Sequence, residues 1–128
     1  MIVAGIGARK KVTADEVLAV LDAALVTHGL PRAAISALVS SRAKSAEPAI
    51  AEAASQLGIA CQGLSDELLR SSDSETLTRS DASIAATGFA SLSEAAALAA
   101  AGPGGSLLGP RVALGSVTCA LARTGGAS

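Results

Sequence analysis

Large aromatic side chains are almost missing from this sequence: Phe89 is the single ring, and there is no tryptophan or tyrosine. That removes the stacking platforms on which single-stranded nucleic acid is held. It also forces an aliphatic core, in which close approach of backbones must supply the packing that rings would otherwise give. Histidine is confined to His28 and cysteine to Cys61 and Cys119, with no Cys-x-x-Cys pair. A zinc site is short of ligands, so no metal is expected, and the two cysteines read as buried reduced thiols. The formal net charge of −1 lacks the basic excess of a nucleic-acid-binding domain. No apolar run approaches the ~18 residues of a membrane span. The chain opens without a basic leader, and its first apolar run breaks at Gly5-Ile6-Gly7, so a cytoplasmic protein is expected.

What is present is a hydrophobic half dominated by alanine, in a chain of 128 residues. That length suits one domain, 1–128, large enough to bury a core without staples. Residues 2–6 form an apolar run bounded by glycine, a buried strand. Thr13-Ala14-Asp15-Glu16 fits a capping box, with Val12 and Val17 as a hydrophobic staple. Val17, Leu21, Ala24, Leu25 and His28 then recur at helical spacing, and Gly29 closes the helix before Pro31. Residues 35–39 read as a second strand, 40–47 as a polar loop, and 48–57 as a helix with Pro48 in its first turn. Residues 59–61 read as a third strand. A short helix follows, with Ser65 as cap and Asp66 and Glu67 against its positive end.

Residues 71–83 read as a loop and 82–87 as a weak strand. Ser91-Leu92-Ser93-Glu94 is a second capping box, opening a helix over 92–101. Gly102-Pro103-Gly104-Gly105 ends it. Residues 106–108 and 116–122 are strand candidates separated by a Gly/Pro turn region, which predicts an antiparallel pair. This alternation implies a three-layer α/β/α sandwich with a mostly parallel mixed sheet and an antiparallel C-terminal strand pair.

Ligands of such sheets bind outside the carboxyl ends of the strands. The first strand is followed by Gly7, Ala8, Arg9, Lys10 and Lys11, the second by Ser40, Ser41, Arg42 and Lys44. If the two strands are parallel, five of the chain's ten cations share one rim, and an anionic ligand is expected there. A dinucleotide is a poor fit. Lys10 stands where the third glycine of Gly-x-Gly-x-x-Gly belongs, and the second strand ends without the acid that a ribose requires. There is no P-loop and no Gly-x-Ser-x-Gly. His28 reads as a packed or capping residue, so no nucleophile–base–orienter set can be assembled. The acids available for general catalysis are Glu47, Asp66 and Glu67, each in the first turn of an expected helix where capping or a dipole role is the alternative; Glu47 is the catalytic candidate retained. Ser65, Ser74 and Thr87 are possible hydrogen-bond donors to a ligand, and Phe89 reads as core.

"GIGARKKVTADEV" resembles the opening of the CobE/CbiG C-terminal domain family of cobalamin biosynthesis. "AKSAEPAIAEAASQLGI", "LSDELL", "TGFASLSEAAALAAAG" and "VTCALAR" resemble its later blocks in the same order. Ala8 stands where the family often has cysteine and Lys11 where glycine is common. The second loop reads Ser40-Ser41-Arg42 where an acid is frequent. The resemblance implies a ligand with a broad apolar ring edged by carboxylates, a precorrin or corrinoid tetrapyrrole. Arg9, Lys10, Arg42 and Lys44 would pair with its acid groups, Gly7 and Ala8 would give clearance, and Glu47, Ser65 and Thr118 would support. No cofactor beyond that ligand is implied. The resemblance also implies an accessory, non-catalytic role in the aerobic pathway, with another pathway enzyme as a possible partner. The alternative is a hydrolase that opens a precorrin lactone, as the longer CbiG relatives do.

Overall fold

The computed structural model describes residues 1–8, 11–42, 48–73, 92–102 and 104–124. The strands are β1 (Ile2–Ala8), β2 (Ile35–Ser41), β3 (Ala60–Leu64), β4 (Ser106–Leu107), β5 (Val112–Leu114) and β6 (Val117–Arg123). The helices are α1 (Ala14–His28), α2 (Pro48–Leu57), α3 (Asp66–Asp73) and α4 (Leu92–Ala101), with a 3-10 turn at Arg32–Ala34. Strand order is β3-β2-β1-β6-β4, with β5 also on β6. β1, β2 and β3 run parallel, and β6 lies antiparallel to β1 from Ile2↔Arg123 to Ala8↔Val117.

The expected three-layer sandwich with a mixed sheet is present. The C-terminal antiparallel pair is β4 with β6, in the register Ser106↔Arg123 and Leu107↔Ala122. Local expectations change at several element ends: β1 runs on through Gly7 and Ala8, and β3 spans Ala60–Leu64 rather than 59–61, each extended by pairing with its neighbour. Ser40 and Ser41 continue β2 rather than starting the loop, because β3 pairs alongside them at Ser40↔Gly63 and Ser41↔Leu64. Residues 71–73 extend α3. The Gly/Pro region before β6 holds β5, three residues long and set by pairing with Val117–Cys119 rather than by its own pattern. The strand expected at 82–87 lies outside the described residues, as do Ser74, Thr87 and Phe89.

Local chemistry explains the elements that hold. The Thr13 hydroxyl accepts from the Glu16 N–H at 3.2 Å, and the Glu16 carboxylate accepts from the Thr13 N–H at 3.1 Å, closing the capping box. Gly29 adopts φ +65°, and its N–H reaches the Leu25 and Val26 carbonyls. At this left-handed position a Cβ would be strained. The Ser65 hydroxyl accepts from the Leu68 N–H at 3.3 Å and so caps α3.

Strand alternation divides the core into two layers. On one face Ala4, Ile6, Leu38, Cys119 and Leu121 pack against Val17, Leu21 and Leu25 of α1 and Ile50 of α2. On the other, Val3, Ala37, Val39, Ala120 and Ala122 meet Leu69 of α3 and the alanines of α4. Residues Leu92 to Leu98 of α4 are all buried, as befits a helix that is apolar nearly all round. The His28 ring lies against Gly109, where a Cβ would fall 2.9 Å from Cε1.

Candidate functional site

Because β1, β2 and β3 are parallel, their carboxyl ends open on one edge of the sheet. Gly7 and Ala8 end β1, Arg42 follows β2, and Ser65 follows β3. The Gly7↔Thr118 and Ala8↔Val117 register brings Thr118 to the same edge. Five of the nine expected site residues, Gly7, Ala8, Arg42, Ser65 and Thr118, therefore share it. Arg9, Lys10, Lys44 and Glu47 lie outside the described residues. The chain runs from β1 out to β2 and β3, then crosses to the far side of β1 for the last strands. The topological switch point thus falls between β1 and β6, at Gly7 and Thr118.

Hydroxyls finish the β1 end. Ser40 donates to the Ile6 carbonyl at 2.6 Å from β2, and Thr118 donates to the Gly7 carbonyl at 3.4 Å from β6. Both are buried. Among the described residues, cations at this edge are Lys11 and Arg42, both exposed. Acids stand beside them in the first turns of α1 (Asp15, Glu16) and α3 (Asp66, Glu67). The described part of the edge thus carries charge of both signs, and helices α1 and α3 begin with their positive ends already matched.

Both glycines of β1 have close neighbours within the fold. Gly5 and Gly7 point to the α4 side of the sheet. A Cβ on Gly5 would overlap the Ser93 carbonyl and come within 2.8 Å of the Ala97 nitrogen. A Cβ on Gly7 would stand 2.6 Å from the Thr118 hydroxyl and 3.5 Å from the Ser93 nitrogen. The start of α4 is pressed onto β1 at Gly5, whereas at Gly7 its atoms stand at ordinary contact distance. Ser65 likewise has a local duty, the α3 cap.

Two residues of the α4 start belong to this region and escaped the sequence reading. Ser93 and Glu94 are completely buried. The Glu94 carboxylate accepts from the Arg111 N–H at 2.9 Å, tying the approach to β5 to the helix. Ser91-Leu92-Ser93-Glu94 suggested only a capping box. The usable signal was the all-round apolarity of 92–101: polar groups in a helix that is buried on every side must find partners inside. No group of three or more His, Cys, Asp or Glu that could hold a metal ion occurs among the described residues.

Residues 2–122 match the family described as cobalamin synthesis G C-terminus. The chain belongs to that family. Membership places it among the proteins of cobalamin biosynthesis. The crystal structure of CobE, a protein from the cobalamin (vitamin B12) biosynthetic pathway, is similar at 34% identity and TM-score 0.90, over 96% of this chain and 89% of that one. The cobalamin biosynthesis protein ChiG from Agrobacterium tumefaciens str. C58 is 40% identical with TM-score 0.76, over 97% and 98% of the two chains. A cobalamin biosynthesis protein G homolog from Sulfolobus solfataricus, 21% identical with TM-score 0.68, covers 98% of this chain with 37% of its own, and that likeness concerns the fold. No curated protein sequence matches the chain. Among the described residues of this family member, no helix is long and apolar enough to cross a membrane.

Proposed function

We propose that this protein binds a precorrin or corrinoid intermediate at the carboxyl edge of β1–β3, as an accessory of cobalamin biosynthesis. The observation that carries the reading is the parallel pairing of β1 with β2. It sends the loop after Ala8 and the loop after Arg42 off the same edge, so the two basic stretches of the sequence start side by side. Neighbouring strands are ~4.8 Å apart, well within the width of a macrocycle. Guanidinium and ammonium groups on such a rim suit the acetate and propionate carboxylates of the ring.

An accessory role is favoured over lactone hydrolysis by the position of the one histidine. His28 closes α1 at the end away from Thr13, ~22 Å along the helix from the edge where α1 begins. A base there cannot serve chemistry at Ala8. The test is a spectrophotometric titration with hydrogenobyrinic acid at low salt. Saturable binding at tens of micromolar or below is expected. Affinity should fall with added salt and on replacing Arg42 by Ala. Absence of binding at those concentrations would sink the reading. Product formation from a lactone-bearing precorrin, dependent on the protein and slowed by Glu47→Gln, would favour the hydrolase instead.

A further inference from the structure

We propose that the start of α4 is the seat of one carboxylate arm of the ligand, with the Ser93 and Thr118 hydroxyls as its donors. This rests on the reading above, that the ligand is a tetrapyrrole edged by carboxylates.

Ser93 is completely buried, and its hydroxyl has no hydrogen-bond partner. A buried hydroxyl left unpaired is a standing cost, and a bound group that brings an acceptor removes it. The residue stands in the first turn of a ten-residue helix whose start lies over the last residues of β1. Three groups converge beside Gly7. The point that a Cβ there would occupy is 2.6 Å from the Thr118 hydroxyl, 3.5 Å from the Ser93 nitrogen and 3.7 Å from the Ser93 Cβ. The Thr118 hydroxyl is held only by a 3.4 Å contact to the Gly7 carbonyl, at the long limit of a hydrogen bond, and is readily redirected. The spot lies at the switch point between β1 and β6, where sheets of this kind take their ligands.

The charge preference follows from the helix. Its start favours an anion, and hydroxyls donate to one. The acid of this first turn, Glu94, holds the Arg111 N–H with one carboxylate oxygen. The starts of α1 and α3 on the same edge carry groups of their own. One is closed by the Thr13–Glu16 box, and the other holds Ser65, Asp66 and Glu67. The seat is closed to solvent in the free chain. It therefore admits a carboxylate on a thin, flexible arm rather than the ring, and the arm must shed its water to enter.

The experiment is a titration of hydrogenobyrinic acid into the wild-type chain and into Ser93→Ala, Ser93→Thr and Thr118→Val. Circular dichroism melts verify that each variant is folded. Loss of a hydrogen bond to a charged group predicts about tenfold weaker binding for Ser93→Ala and for Thr118→Val. Ser93→Thr, which keeps the hydroxyl, should bind within about threefold of wild type. Ser93→Ala binding as tightly as wild type would overturn this seat while leaving the proposed function standing. A wild-type chain that does not bind would remove both. Should Ser93→Ala unfold, the amide signal of Ser93 in the wild-type NMR spectrum decides. Its movement with saturation supports the seat, and an unmoved Ser93 amide amid shifts elsewhere overturns it.

Discussion

The carbonyl of Ser93 occupies the place that a side chain on Gly5 would need. Helix α4 and strand β1 thus meet backbone to backbone, and this contact fixes the start of α4 at the carboxyl edge of the sheet. Alanines 95, 96 and 97 are wholly buried in the same layer, which leaves no slack to absorb a methyl group.

Gly5→Ala should therefore be the most damaging small substitution in β1. The obstructing atoms are backbone, so α4 must move, and a loss of about 3 kcal/mol or more is expected in urea unfolding. Gly7→Ala meets a side-chain hydroxyl, Thr118, at 2.6 Å and should cost less, about 1–2 kcal/mol. Equal losses for the two would contradict the backbone contact.

Glu94 should matter through its bond to the Arg111 N–H. Glu94→Ala leaves that donor without its acceptor, and a loss of about 2 kcal/mol or more is expected. Glu94→Gln retains a carbonyl oxygen and should recover most of it. A melt of the two variants side by side decides, and a Gln variant as unstable as the Ala variant would point away from the bond.

The Asp22–Arg32 pair joins α1 to the 3-10 turn through bonds of 2.8 and 2.7 Å. The hydrogen bond from Arg32 holds the Asp22 carboxyl below its ordinary range, outweighing a small opposing effect of burial. A depressed carboxyl stabilises the fold at pH above its unfolded value, near 3.8, and loses that contribution as pH falls through the lower folded value. The side chains are 51% and 45% exposed, so solvent limits the pair to less than about 1 kcal/mol. Asp22→Asn should be slightly less stable than wild type at pH 7. The difference should close as pH falls below 3.8 and through the lower folded value.

The two cysteines should part company in reactivity. Burial raises the Cys119 thiol to about 12 and raises the half-buried Cys61 thiol more modestly. A thiol reagent at pH 8 should modify Cys61 in the folded chain and reach Cys119 only in denaturant. A raised thiol pKa favours the folded state up to the unfolded value near 9.0. Stability should therefore decline as pH climbs from there toward about 12, and Cys119→Ala should flatten that decline.

Much of the fold was legible because its signals are local. The Thr13 box, the Gly29 cap and the Ser65 cap stand as read, since each is a few residues bonding to their own backbone. The 3-residue β5 was not legible, because it forms only where β6 offers it a ladder. The same limit hid the extension of β2 through Ser40 and Ser41: two serines look like loop until β3 pairs with them. At the site, the shared edge of Gly7, Ala8, Arg42 and Ser65 followed from the parallel order of strands. The burial of Ser93 and Glu94 did not.

By itself the sequence determined the α/β class, the caps, the two basic stretches after β1 and β2, and the resemblance to the cobalamin family, because these reside in residue order and short-range bonding. Only the tertiary structure decided that β6 enters antiparallel beside β1 and so brings Thr118 to Gly7. It also decided that Gly5 makes room for the backbone of α4. No local rule distinguishes a glycine that clears a ligand from one that clears a helix; that depends on which backbone the finished fold lays across it.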